Sequence, residues 1–127
     1  MKKDIAKKWG EALRSGKYKQ GKAYLKQVCY NGQVHHCCLG VLCELYNDTM
    51  KKNRKKTLST QISSTKLATD CFTFDGKVGE LPSVVMEWAG INSSLGNFEI
   101  YSLASLNDIG STFESIADII EKNVENL

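Results

Sequence analysis

The run from Cys37 to Tyr46, CCLGVLCELY, constrains the fold more than any other part of this sequence. Its ten residues carry a single charge, that of Glu44, and are otherwise rich in Cys, Leu and Val. An apolar run of this length without a polar stripe is typical of an element in the middle of a small core. We therefore expect a central helix at about residues 38–47.

The same run brings thiols close to His35 and His36 and allows three interpretations of its chemistry. Free cysteines are usually buried small apolar groups, and the odd total of five fits thiols in a reducing compartment. A zinc site would need ligand pairs at C-x2–4-C or H-x3–5-H spacing, which these residues do not offer, so no metal or cofactor is expected. Cys37 or Cys38 at a helix start could instead be a thiolate nucleophile.

The length and the N-terminus bound the class of protein. A chain of 127 residues makes one domain, 1–127. No apolar stretch approaches the roughly 18 residues of a membrane span, and no apolar region follows the basic start. We expect a cytoplasmic protein without a membrane partner.

Charge is divided unevenly along the chain. Residues 1–66 hold 15 Lys and Arg against 4 Asp and Glu, whereas residues 67–127 hold 2 against 10. Either the halves fold together and neutralise each other, or the basic half faces an anionic partner. A C2 dimer that pairs unlike halves is a further alternative.

Hydrophobic periodicity predicts the remaining elements. An amphipathic helix covers 4–14, Asn31-Gly32 joins two strands of a β-hairpin, and short strands are expected at 71–74 and 97–101. Pro82 and Gly90 bound another helix, and two more end the chain. The fold class is α+β, with about five helices around a small antiparallel sheet that contains the hairpin.

Residues 47–69 have no apolar periodicity and include five basic residues within Lys51–Lys56. This composition predicts a long, basic, mobile loop.

Four polar residues are candidates for a small-ligand site. Asn107 and Asp108 precede a glycine turn and could project into a pocket with Tyr18 and Gln20, because polar groups that converge on an apolar pocket are typical of such sites. Aromatic side chains could supply a stacking wall: Trp9, Trp88 and Tyr101.

The order of four motifs resembles a family of small proteins from tailed bacteriophages and prophages. These motifs are W-x-x-A-L-x-S-G-x-Y-x-Q (9–20), CCLGVLCELY, LPSVVMEWAG and LASLNDIGSTFESIADIIE. The lysine-rich 47–69 segment departs from the pattern. The resemblance implies an accessory gene product that acts in the infected cell, and it implies no reaction.

These observations lead to one functional hypothesis and two alternatives. The hypothesis is a non-enzymatic phage or prophage protein that acts in the host cytoplasm. It would bind a host protein or a small anionic ligand, such as a signalling nucleotide, and so weaken a host defence. The first alternative is a thiol-dependent hydrolase or transferase that uses Cys37 or Cys38. The second is a nucleic-acid-binding protein that uses the basic N-terminal half.

Overall fold

The CCLGVLCELY run is central in the fold, as its composition predicts. This computed structural model describes residues 1–127, except for the side chain of Lys66. The run begins helix α2 (Cys38–Lys52), in which every residue from Cys38 to Cys43 is buried. This half of the helix is covered on all sides, which explains why it has no polar stripe.

Five helices surround two sheets, and the α+β class is confirmed. The other helices are α1 (Lys3–Arg14), α3 (Ser83–Ala89), α4 (Leu103–Asp108) and α5 (Phe113–Lys122). The strands of the larger sheet are β1 (Lys19–Gln20), β2 (Lys26–Cys29), β3 (Val34–His36), β4 (Thr60–Lys66) and β5 (Thr69–Phe74). A smaller sheet pairs β6 (Asn97–Phe98) with β7 (Tyr101–Ser102).

The larger sheet has the order β1-β3-β2-β5-β4 and is mixed. The predicted hairpin is present as β2 and β3, with Gln27 opposite His35, and Gly32 in its loop has a φ of +82°. The other strand pairs of this sheet are antiparallel, as expected, and β1 pairs with β3 in parallel at one edge.

The predicted long loop over 47–69 is wrong in its secondary structure. Helix α2 continues to Lys52, and β4 begins at Thr60, so the irregular connection is short. The polar sequence is explained by exposure, since the end of α2 and most of β4 face solvent. An element without a buried face has no hydrophobic period to detect.

Helix α1 packs along α5 and also contacts α2. Trp9 is fully buried and donates its indole N–H to the carbonyl oxygen of Cys38, at 2.9 Å. On the outer side, the Arg14 guanidinium bonds to Asp118 and Glu121 of α5. The basic and acidic halves of the chain therefore neutralise each other in part, along this pair of helices.

Within the described residues, no helix combines the length and apolar composition needed to cross a membrane.

Candidate ligand-binding groove

A groove of about 400 Å³ lies where α1, the loop after it, α2 and α3 meet. Side chains one helical turn apart on α1 and on α2 form its two walls, and the loop and α3 add aromatic rings. Its charged and aromatic lining residues are Lys8, Glu11, Lys17, Tyr18, Asp48, Lys52 and Trp88. We call this site the groove.

The charges of the groove favour an anion. Lys8, Lys17 and Lys52 contribute three ammonium groups, against the two carboxylates of Glu11 and Asp48. In the described side chains, the three lysines take part in no salt bridge. Their charge is therefore available to a bound group.

Two aromatic rings of the groove are fixed by their neighbours. Tyr18 packs edge-on against His36 with ring centroids 5.3 Å apart, and Trp88 packs edge-on against Tyr46 at 5.5 Å. The ammonium group of Lys17 lies 5.3 Å from the centroid of the Tyr18 ring. Rings held in this way are suited to contact a planar ligand.

His36 lies beneath Tyr18 and is buried with neither ring nitrogen hydrogen-bonded within the described residues. Its Nε2 atom is 3.8 Å from a carboxylate oxygen of Glu44. Burial, together with the positive charge of Lys26, lowers the pKa of His36 to about 4. The imidazole is therefore neutral at pH 7, and the contact with Glu44 is not an ion pair there.

Three of the four predicted ligand residues lie together, away from the groove. Asn107 Oδ1 accepts from Gln20 Nε2 at 3.0 Å and from the Cys38 backbone N–H at 3.1 Å. Its Nδ2 donates to the carbonyl oxygen of Gly21 at 2.8 Å, and Asp108 accepts from the Ala23 N–H. These bonds join β1, α2 and α4, so the polar groups of this cluster are occupied within the protein.

Tyr18 is the fourth predicted ligand residue, and it lines the groove. The proposed stacking residue Trp88 lies there too, whereas Trp9 is buried and Tyr101 belongs to β7. Sequence reasoning missed the three lysines Lys8, Lys17 and Lys52 as site residues. For Lys52 the available signal was helical spacing, since Leu45, Asp48, Thr49 and Lys52 share one face of α2.

The environment of the thiols opposes thiolate formation. Cys37 and Cys38 begin α2, but Cys37 is 4% exposed and Cys38 is fully buried. Burial raises the pKa of Cys37 to about 11 and raises that of Cys38 further above its usual range. Among the residues that the structure describes, no three His, Cys, Asp or Glu side chains form a group that could hold a metal ion.

The C-terminal helix pair is engaged in packing. Phe113, Ile116 and Ile120 of α5 are buried on the side that faces α1, and the exposed side of α5 is largely acidic. An acidic outer face would repel the phosphates of a nucleic acid. The exposed basic residues that remain for such a partner lie on α1, on the segment that follows it, and at the end of α2 and just beyond it.

Comparison with known proteins identifies a family. A family model described as a domain of unknown function (DUF8296) matches residues 1–124. No curated protein and no solved structure matches the chain. The match covers the motifs of α1, α2 and α3 as well as the C-terminal helices, so this chain belongs to the DUF8296 family.

Proposed function

We propose that this protein is a non-enzymatic binding protein that holds a small anionic ligand with a planar ring in the groove. The observation that carries the proposal is the meeting of three lysine ammonium groups with two fixed aromatic rings in one concave site. Such a combination can neutralise a phosphate or carboxylate while a ring packs against Tyr18 or Trp88. A nucleotide is one class of molecule with both features.

The groove is suited to binding more than to turnover. Its polar side chains are lysines, two carboxylates and the hydroxyl groups of Ser15, Thr49 and Tyr18. The buried thiols and His36 lie outside this lining, and the raised pKa of Cys37 and Cys38 favours the unreactive thiol. These facts support a protein that acts by binding its ligand without converting it.

The resemblance to proteins of tailed bacteriophages supports a place of action in the infected cell. A small protein that sequesters an anionic signal molecule would lower its free concentration and so weaken a host defence that depends on it. Sequestration requires no chemical step, and a protein of this type must be present in amounts comparable with its ligand.

Trp88 provides a readout for this proposal. Small molecules released by denaturing gently purified protein are added back to fresh protein, and tryptophan fluorescence is followed. We expect a change that Trp88→Phe abolishes and that weakens with added salt, while the buried Trp9 gives a constant background. If the released fraction contains no anion that binds again, the proposal is wrong.

A further inference from the structure

Strand β4 is an open edge of the larger sheet. In the order β1-β3-β2-β5-β4 it is the last strand, and among the described strands it pairs only with β5. The outer row of its backbone N–H and C=O groups is therefore free for another strand. No residue of β4 lines the groove.

The composition of β4 gives this edge little protection. Natural edge strands are usually blunted by charged side chains, by proline or by bulges. Residues 60–65 contain neither a charge nor a proline, and Ile62 is 57% exposed. One bulge is present between Ile62 and Ser64, where Ser63 bonds back to the carbonyl oxygen of Cys71.

One face of the sheet defines a register for an added strand. Lys26 of β2 pairs with Phe72 of β5, which pairs with Ile62 of β4. The Lys26 ammonium covers the Phe72 ring at 5.5 Å from its centroid, whereas Ile62 ends the row without such a cover. A further strand would place one of its side chains beside Ile62. An apolar side chain at that position would bury more of the exposed apolar surface of Ile62 than a polar one.

Charge selects the kind of partner. Lys51, Arg54, Lys55 and Lys56 are exposed on the segment that leads into β4, and in the described side chains they form no salt bridge. Nearby, the carboxylate of Asp75 is engaged by the Ser59 N–H. This block of positive charge beside the open edge favours an acidic partner.

We infer that β4 docks an extended, acidic segment of a partner protein, which adds a strand to the sheet with an apolar residue beside Ile62. Backbone hydrogen bonds would supply affinity, and the basic segment would steer the approach. No residue of β4 lines the groove, so the two proposals rest on different surfaces and are tested separately.

The test uses a short synthetic peptide with glutamates at both ends and alternating threonine and valine between them. A second peptide of the same sequence is N-methylated at alternate residues, so that it keeps the charge but loses donors for strand pairing. Binding to the full chain is measured by fluorescence anisotropy, and amide hydrogen exchange reports protection of β4. We expect protection of β4 amides and binding at least roughly tenfold tighter for the unmethylated peptide.

Two variants and a control complete the test. Ile62→Lys should weaken binding roughly tenfold, and Ile109→Lys, which changes a more exposed apolar residue outside the sheet, should not. Replacing Lys51, Lys55 and Lys56 by Gln should weaken binding and reduce its salt dependence. Equal binding of both peptides, no binding, equal effects of the two isoleucine variants, or a concentration-dependent dimer that protects β4 without peptide would each overturn the inference.

Discussion

Asn107 caps a helix that begins 69 residues before it in the chain, since its Oδ1 atom accepts the backbone N–H of Cys38 at 3.1 Å. Cys37 stands at the N-cap position of α2, and a residue of α4 supplies the cap in its place. Asn107 also bonds to Gln20 and to the Gly21 carbonyl oxygen. One side chain thus fixes α2, α4 and β1 relative to each other.

Removing this side chain should destabilise the protein. Asn107→Ala leaves the Cys38 N–H and the Gly21 carbonyl oxygen without their partner in a buried place, and we expect a loss of about 3 kcal/mol in the free energy of unfolding. Urea denaturation measures the loss, with the exposed Asn126→Ala as the control. An unchanged midpoint for Asn107→Ala would contradict the role assigned to this residue.

Gly40 of α2 should tolerate no side chain. A methyl group at this position would overlap the carbonyl oxygen of Leu25, a backbone atom that cannot rotate away. We expect Gly40→Ala to lower the free energy of unfolding by about 3 kcal/mol or more. Gly76→Ala is the comparison, because Gly76 has open space around it and only its φ of +80° opposes a side chain, at about 1 kcal/mol. Similar losses for both variants would refute the close packing of α2 on Leu25.

The five thiols should differ in reactivity. Cys37, Cys38, Cys43 and Cys71 are buried, whereas Cys29 is half-buried at the end of β2. In native protein at about pH 7 we expect iodoacetamide to modify Cys29 alone, and to modify all five only after denaturation. Mass spectrometry of peptides locates the modified residues. Rapid modification of Cys37 or Cys38 in the folded protein would favour the thiol-dependent enzyme.

His36 should make stability depend on pH. In the unfolded chain its pKa is near 6.5, and in the folded protein burial lowers the pKa to about 4. Between these values the unfolded state binds more protons, so the free energy of unfolding should fall as pH is lowered through this window, by up to about 3 kcal/mol. The facing groups are Tyr18, Glu44, Lys26 and His35, and burial raises the pKa of Glu44, which has the opposite effect on the pH dependence.

The control for this pH dependence is His36→Gln, which cannot take up a proton. Urea unfolding of both proteins between about pH 7 and pH 4 should show a steeper loss for the wild type. Parallel curves would mean that His36 does not stay neutral in the folded protein.

Hydrophobic periodicity predicts the helices and strands that have a buried face, but it does not detect those that lack one. The Pro82 and Gly90 signals bound α3 correctly, and Gly90 ends the helix in the left-handed conformation with a φ of 68°. The end of α2 and strand β4 were missed, because exposed polar residues carry no period. Their structure depends on Asn47, whose side chain accepts the Leu58 N–H, and on pairing with β5.

The candidate site was predictable only in part. Gln20, Asn107 and Asp108 do lie together, but Asn107 and Asp108 bond to the backbone of α2 and of the segment after β1, not to an open pocket. The groove combines residues from α1, α2 and α3 whose proximity arises from helix packing, which no local spacing encodes. Tyr18 is the one predicted ligand residue that lines it.

The most direct test of the groove is native mass spectrometry of three proteins purified gently from the cells that produce them, each with a denatured mass beside it. The groove variant replaces Lys8, Lys17 and Lys52 by Gln, and the matched control replaces Lys51, Lys55 and Lys56 by Gln. We predict an additional small anionic mass on the wild type and on the control that is lost from the groove variant. A bare wild-type chain, or an additional mass that persists in the groove variant, would contradict the account.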